Sequence, residues 1–427
     1  MTRTLCAELS INAQPTTIEG WIHRRRQLAA VTFLIIRDRT GLAQVVVTDE
    51  KARAQVAGLP EETVVRITGS VVGNQRAPRG MEIVDPDVSA LSDAAQTPPM
   101  ELWRPIVKEH LPVRLDHASV SWRHLSQRAV WQVAAASLTG FRGYLDGEGF
   151  TEIQTPKLVS MSTESGANVF PVDYFGEKAF LAQSPQFYNQ AMVGVFERVY
   201  EVGPVFRAEP HETARHLAEY VSLDAELGFI NDHRDVLSVL QATLRSMLES
   251  IETHAQEALE LTGAALPRLP EAMPVLHFRE ALAIVGADPD EPDLAPDHER
   301  LPGQWAVDHH GSDFIAIEGY PTVKRPFYTL PQPDDDRWTN SFDVLFRGLE
   351  LVTGGQRRHN YADYVQALHS RGEDIGPYDS YLSAFRHGMP PHGGFAIGLE
   401  RWTSRVLGLD NVRQATLFPR DRHRLTP

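Results

Sequence analysis

The run FRAEPHETARHLAEY, from Phe206 to Tyr220, sets Arg207 two residues before Glu209 and follows them with Arg215 and His216. If VYEVGPVFRAE is one strand, side chains two apart share a face and lie about 6.6 Å from each other, so the arginine and the glutamate project together. A guanidinium there can clamp a phosphate oxygen and stabilise charge in a transition state, while the carboxylate accepts hydrogen bonds from an amine. Arg215 and His216 return two further cations toward the same anion. The plainer reading is a surface salt bridge. A zinc site is excluded, because His211 and His216 are five apart and fall on different faces of a helix.

A second run, SFDVLFRGLELVTGGQRRH from Ser341 to His359, carries Asp343 and Glu350 seven apart. On strands they converge only through an irregularity, whereas on a helix two turns bring them to one face. Two carboxylates beside a polyphosphate suit Mg²⁺, a hard cation that shares oxygen ligands with phosphates. Gly354 and Gly355 permit close backbone approach, and Arg357 can hold a carboxylate. Taken alone, capping or salt-bridge roles explain this run equally well. His309, His310, His387 and His392 lack a third-ligand pattern. Near Glu400 and Arg401 stands GGFAIGLERW, yet neither G-x-G-x-x-G in a strand-helix unit nor a phosphate-binding loop ending in G-K-[ST] occurs, so a nucleotide must be held another way.

The elements that must position these groups fall into two styles. Residues 11 to about 90 are short Val-, Ile- and Thr-rich runs broken by Gly, Asn or Pro, which predicts a small closed β-barrel ending near residue 95. DAAQTPPMELWRPIV, residues 93–107, reads as part of a linker over 96–125. From Ser126 a long amphipathic helix opens a second domain over 126–427, in which strands and helices follow without a strict strand-helix-strand repeat. The Pro-rich, acidic stretch around 261–315 reads as an insertion of its own. The expected class is α+β.

Composition bounds what such a chain does. At 427 residues, 42% hydrophobic and 23% charged, it has the balance of an ordinary globular protein, with no apolar run of membrane-spanning length and no signal-peptide pattern, so a cytoplasmic location is expected. One cysteine, Cys6, excludes an internal disulfide framework. A net charge of −15 argues against indiscriminate coating of nucleic acid. The acidity is uneven, however: residues 1–90 hold eleven Lys and Arg, including Arg24, Arg25 and Arg26, against ten Asp and Glu. Such a module can read a polyanion locally.

Together the motifs resemble class II aminoacyl-tRNA synthetases. GEGFTEIQTPKL, with Pro156, is similar to the first signature of that class, PVFRAE with RHLAEY to the second and GFAIGLERW to the third. STESGANVF, YFGEKAFLAQSPQFY, SFDVLFRGLE, GMPPHGGFAIGLER and LFPRDRHRLTP resemble the aspartyl-tRNA synthetases of the compact archaeal type. The resemblance implies an N-terminal OB-fold anticodon-binding barrel over 1–95 and a class II catalytic domain with a mainly antiparallel sheet flanked by helices. It implies a homodimer, L-aspartate, ATP and Mg²⁺ as reactants and cofactor, and tRNA(Asp) as acceptor.

Position by position, the resemblance implies that Arg207 holds the α-phosphate, Glu209 the adenine amino group, and Arg215 and His216 the outer phosphates. Leu217 and Gly398 belong to the same ATP surface, with Tyr220 and Arg401 enclosing the adenine ring. Asp343, Glu350 and Thr353 would bind the metal. Glu164, Gln186, Asn189, Asp224, Thr353 and Arg357 would surround the amino acid. Phe33, Gln44 and Glu82 would read the central anticodon base, while His23 and Pro78 match members that accept both tRNA(Asp) and tRNA(Asn). In SPQFYNQ the lysine of the family is replaced by Asn189, which leaves aspartate held by Arg357 alone, asparagine, or a modified analogue as candidate amino acids. A paralogue that adenylates another acid and a non-catalytic tRNA-binding protein are the alternative readings.

Overall fold

The structure, a computed structural model, describes residues 3–161, 168–210, 213–295 and 297–427. It divides into two compact units, Met1–Leu125 and Ser126–Pro427.

In the first unit five strands, β1 (Thr16–Gln27), β2 (Thr32–Arg37), β3 (Leu42–Val47), β4 (Val64–Gly73) and β5 (Met81–Ser92), close into a barrel in the order β1-β2-β3-β5-β4. The period-2 alternation sends Ile18, Leu34, Ile36, Val45, Val47, Ile67 and Ile83 inward, all with no exposed surface. Each such side chain stabilises the barrel by about 1.5–3 kcal/mol. A helix, Glu50–Ala57, is started by the Asp49 carboxylate, which accepts from Ala52 N at 2.8 Å. The stretch read as a linker belongs to this unit, with short helices at Leu111–Asp116 and Ala118–Ser121.

The second unit adds β6 (Thr151–Glu152), β7 (Leu158–Val159), β8 (Pro171–Tyr174), β9 (Glu177–Leu181), β10 (Arg198–Phe206), β11 (Glu219–Gly228), β12 (Val275–His277), β13 (Phe314–Glu318), β14 (Ser341–Phe346), β15 (Glu350–Arg357) and β16 (His392–Gly398). Eight of them form one sheet, β12-β13-β14-β15-β16-β11-β10-β6, antiparallel except at its two edge pairs; β7, β9 and β8 form a smaller one. Every residue of β13 and β14 is buried. The helix Leu125–Gly147 meets the helix His233–His254 through Ser250 Oγ, which donates to Ala136 O at 2.7 Å. Trp402, in the helix Leu399–Val406, is fully buried and donates from Nε1 to Ser137 Oγ at 2.8 Å.

The stretch 261–315 is not a body apart. It contributes β12, β13 and the helices Phe278–Val285 and Arg300–His310, and its Phe278, Leu282 and Ile315 share a core with Leu345 of β14. Most of its prolines sit in connecting loops, which breaks up the helical periodicity in the sequence.

Candidate active site

Because side chains alternate along β11, Tyr220, Ser222, Asp224 and Glu226 face the same way. The first three line a cavity of about 320 Å³, the size of a small-molecule site. At its inner end Arg357, on β15, donates from Nε to Glu226 Oε1 at 3.0 Å and from Nη2 to Gln186 Oε1 at 3.4 Å, while Gln186 Nε2 donates to Glu226 Oε2 at 3.1 Å. This triangle holds the guanidinium plane rigid. It requires a glycine on β16: a Cβ on Gly394 would sit 2.0 Å from Glu226 Oε2 and 2.2 Å from Ala225 O.

Asp224 is 4% exposed, and burial pushes its carboxyl up to about 7, Glu201 adding to the shift against the opposing Ser222 hydrogen bond. Glu201 is its Cα partner on β10 and is itself held by Lys157 Nζ at 2.6 Å. Asp224 Oδ2 is buried with no hydrogen-bond partner. An unpartnered buried acceptor of that kind suits an incoming ammonium. Asn189 lies three residues beyond Gln186 in the helix Gln186–Phe196, 2% exposed, with Oδ1 likewise lacking a partner. Glu164 lies outside the described residues.

The strand expected to carry both Arg207 and Glu209 stops at Phe206, so β-alternation does not bring them together. The chain turns instead, and Arg207 Nη1 comes to 4.0 Å from Glu209 Oε1, with His216 Nε2 3.5 Å from Glu209 Oε2. Arg207 also lies over the Tyr220 ring at 5.7 Å from its centroid. Leu217 and Gly398 line the same cavity, and a Cβ on Gly398 would touch the Tyr220 ring and Arg401 Cβ, each at 3.8 Å. Tyr220 and Arg401 thus stand on neighbouring elements at one end of the cavity, arginine and glutamate at its side. Glu400, 3% exposed, takes the Val221 N–H on both oxygens at 3.1 Å, which fixes β11 next to Tyr220.

Asp343 and Glu350 converge through the irregularity that strands require. They lie on adjacent strands, with a register shift between Val344 and Leu345, and Thr353 is the Cα partner of Asp343. Asp343 gives one oxygen to Arg325 Nη2 at 2.8 Å and leaves the other, buried, without a partner. Glu350 opens into the cavity, and desolvation together with the neighbouring Asp343 pushes its carboxyl up. Two crowded carboxylates, one with an orphaned oxygen, and a hydroxyl opposite them form a hard-oxygen donor set, which fits a magnesium ion whose remaining ligands come from phosphate. Among the described residues no three His, Cys, Asp or Glu form a closed metal cage.

In the barrel unit Gln44 Nε2 and Asn74 Nδ2 both donate to Glu82 Oε2, at 2.8 and 2.7 Å. Phe33 is outside the barrel core, half-buried on the outer face of β2. Pro78 opens the turn Pro78–Gly80. His23 lies on β1. A bulge between Ile22 and Arg24 turns it inward to 4% exposure, with Nδ1 3.1 Å from Arg37 Nη1, and Arg37 is paired with Glu62 at 2.8 Å. His23 presents no open edge to a base.

Three site residues escaped the sequence reading. Glu226 continues the i, i+2 series of Tyr220, Ser222 and Asp224, a signal that was present. Arg325 lines the cavity and Glu299 accepts from Glu350 N at 2.7 Å, but their partners lie 18 and 51 residues away and no local pattern marks them.

Residues 110–422 match the family model described as tRNA synthetases class II (D, K and N), and residues 16–91 match the OB-fold nucleic acid binding domain. The chain is 46% identical to an aspartate–tRNA(Asp/Asn) ligase of Thermus thermophilus, covering 100% of both chains, and 44% identical to one of Deinococcus radiodurans, covering 100% and 99%. Among solved structures it is similar to asparaginyl-tRNA synthetase from Pyrococcus horikoshii complexed with asparaginyl-adenylate, with a TM-score of 0.93, 28% identity and full coverage of both. It is similar also to aspartyl tRNA synthetase from Entamoeba histolytica, with a TM-score of 0.88, 28% identity, and coverage of 100% and 93%.

Proposed function

Because the chain belongs to the class II tRNA synthetases (D, K and N), we propose that it is an aspartate–tRNA ligase that activates L-aspartate with ATP and charges both tRNA(Asp) and tRNA(Asn). The observation that carries the amino acid is the opposed pair of Asp224, with its unpartnered oxygen, and Arg357, locked by Glu226 and Gln186. The carboxylate takes the substrate ammonium and the guanidinium takes its side-chain carboxylate. Arg207 offsets charge on the α-phosphate, Glu209 accepts from the adenine amino group, Arg215 and His216 face the outer phosphates, and Tyr220 and Arg401 enclose the ring.

An oxygen of the substrate's α-carboxylate then attacks the α-phosphorus. The new O–P bond forms as the bond to the bridging oxygen breaks and pyrophosphate leaves with the electron pair. The protein moves no proton in this step; it positions the reactants and stabilises charge. Asp343, Glu350 and Thr353 would hold Mg²⁺, which when bound neutralises charge on the outer phosphates.

Transfer to tRNA rests on the barrel, where Phe33 offers a stacking face and Gln44 and Glu82 a bonded edge reader. For the third anticodon base, the reading relies on Pro78 and on the absence of a bulky side chain at the inward-turned His23, so that the contact is relaxed by omission. A homodimer is proposed through edge strand β6, whose Thr151 and Glu152 are exposed, and a cytoplasmic location accords with the lack, among the described residues, of any helix long and apolar enough to cross a membrane.

Asparagine remains the second reading, favoured by one observation: Asn189 brings a neutral amide with a partnerless oxygen near the position where the resemblance expects a cation. Pyrophosphate exchange with aspartate, with asparagine and with neither decides between them. Aspartate-dependent exchange and charging of both tRNAs are expected; exchange with asparagine alone would overturn the assignment. Charging of tRNA(Asp) without tRNA(Asn) would overturn the relaxed selectivity.

A further inference from the structure

The loop that follows β10 carries Glu209, Arg215, His216 and Leu217 into the cavity, and inside it Thr213 Oγ1 lies 2.7 Å from His216 Nδ1, a bond between side chains, while its backbone bonds are longer. His216 N reaches Thr213 O at 3.4 Å and Arg215 N reaches Thr213 Oγ1 at 3.2 Å. Arg207 N donates to Ala218 O at 2.9 Å and closes the base of the loop, and beyond that base the backbone is tied to a segment some two hundred residues later. Val412 N donates to Ala214 O at 2.9 Å, Arg413 Nη1 to Thr213 O at 3.1 Å, and Arg422 Nη1 to Pro210 O at 3.2 Å. In return Ala218 N donates to Arg420 O at 2.8 Å, and Glu219 and Arg420 form an antiparallel bridge. These contacts reach both shoulders of the loop, and Val412 itself lines the cavity.

An ion pair helps keep the segment in shape. Arg413 Nε donates to Asp421 Oδ2 at 2.6 Å, both side chains being 9% exposed. Asp421 Oδ1 accepts from His423 N and Arg424 N at 2.9 Å each, and Asn411 Oδ1 from Arg413 N at 3.0 Å. Asp421 thereby closes segment 411–424 on itself, and Arg413 bridges from that closure to the loop.

We propose that Arg413, braced by Asp421, is a positioning residue for the nucleotide: segment 411–424 is a clasp that sets the loop bearing Glu209, Arg215 and His216 at the distance ATP requires. Among the described residues no hydrogen bond or ion pair joins the clasp to Gln186, Asp224 or Arg357, so it acts on ATP and leaves the amino acid pocket alone. The inference rests on the ligase reading of the cavity. It goes beyond that reading by assigning work to residues outside the cavity's chemistry.

The test is steady-state pyrophosphate exchange on the full chain, with KM measured separately for ATP and for the amino acid in Arg413→Ala, Arg413→Lys and Asp421→Asn. Removing the charge-assisted contact is expected to raise the ATP KM about tenfold in Arg413→Ala and by less in Asp421→Asn. Arg413→Lys, which keeps the charge, should recover part of the loss, and the amino acid KM should move less than about twofold in all three. Direct ATP titration by calorimetry accompanies the kinetics. If the wild-type chain exchanges with no amino acid, the ligase reading fails while ATP affinity still tests the clasp. Should Arg413→Ala not fold, the isosteric Asp421→Asn carries the test. Folded variants with unchanged ATP affinity, or with both KM values moving together, would overturn the proposal.

Discussion

With Asp224 receiving the substrate ammonium, as proposed, amino acid binding should depend on pH. The Asp224 carboxyl stands at about 7, raised first by burial and then by Glu201, whereas in the unfolded chain it titrates near 3.8. Between these values the folded chain holds a proton that the unfolded chain has released, so stability without ligand falls as pH rises through that window. The fall is bounded at about 4 kcal/mol, three units at about 1.4 kcal/mol each. A substrate ammonium reverses the balance by favouring the ionised form. About one-tenth of Asp224 is ionised at pH 6 and about nine-tenths at pH 8, so the amino acid KM should fall about tenfold between them, then level off. The assay is pyrophosphate exchange at saturating ATP, with the amino acid varied across pH 6–8. Asp224→Asn keeps the shape and removes the titration. Its KM at pH 8 should rise by about 10- to 100-fold, the loss of a charged hydrogen bond, and its profile should be flat. A wild-type KM that changes less than about twofold, or an Asp224→Asn variant that keeps the slope, would place the titrating group elsewhere and refute the role given to Asp224.

Other outcomes follow from the same structure. Glu226→Gln removes the counter-charge of Arg357 and should weaken amino acid binding by about 1.5–3 kcal/mol in exchange assays while leaving the ATP KM near its original value. Phe33→Ala should raise the tRNA KM by the worth of one stacked base, about 1–3 kcal/mol, with amino-acid-dependent exchange unaltered; equal loss in both assays would contradict a tRNA-specific role. Trp402→Phe leaves the Ser137 hydroxyl without its buried donor and should lower stability by about 1–3 kcal/mol in thermal melts. Chelation of divalent cations should stop exchange and added Mg²⁺ restore it, whereas in Asp343→Asn the restoring concentration should rise severalfold.

Much of this was legible in the residues, and the failures share a cause. The barrel announced itself because each inward residue alternates with an outward one along a single strand. The cavity's end groups were legible because Tyr220, Asp224 and Arg401 sit in local motifs. What stayed hidden needed knowledge of a neighbour. His23 looks outward on an ideal β1, and only pairing with β2 reveals the bulge that turns it in. Arg207 and Glu209 look strand-borne until the chain is seen to leave the strand at Phe206. The helices of 261–315 were obscured by the prolines of the loops around them, while the core they share with Leu345 is a property of the sheet.

Gly394 has no functional group, and the space its side chain would take is filled by the carboxylate that steadies Arg357. A saturation mutagenesis of this chain should therefore score Gly394 as harshly as Arg357 itself. Intolerance in such a map marks both the groups that touch a substrate and the vacancies that let them in, and the fold tells the two apart. For anyone redesigning amino acid choice, the practical corollary is to vary Asn189, whose amide oxygen still lacks a partner, and to leave Gly394 untouched.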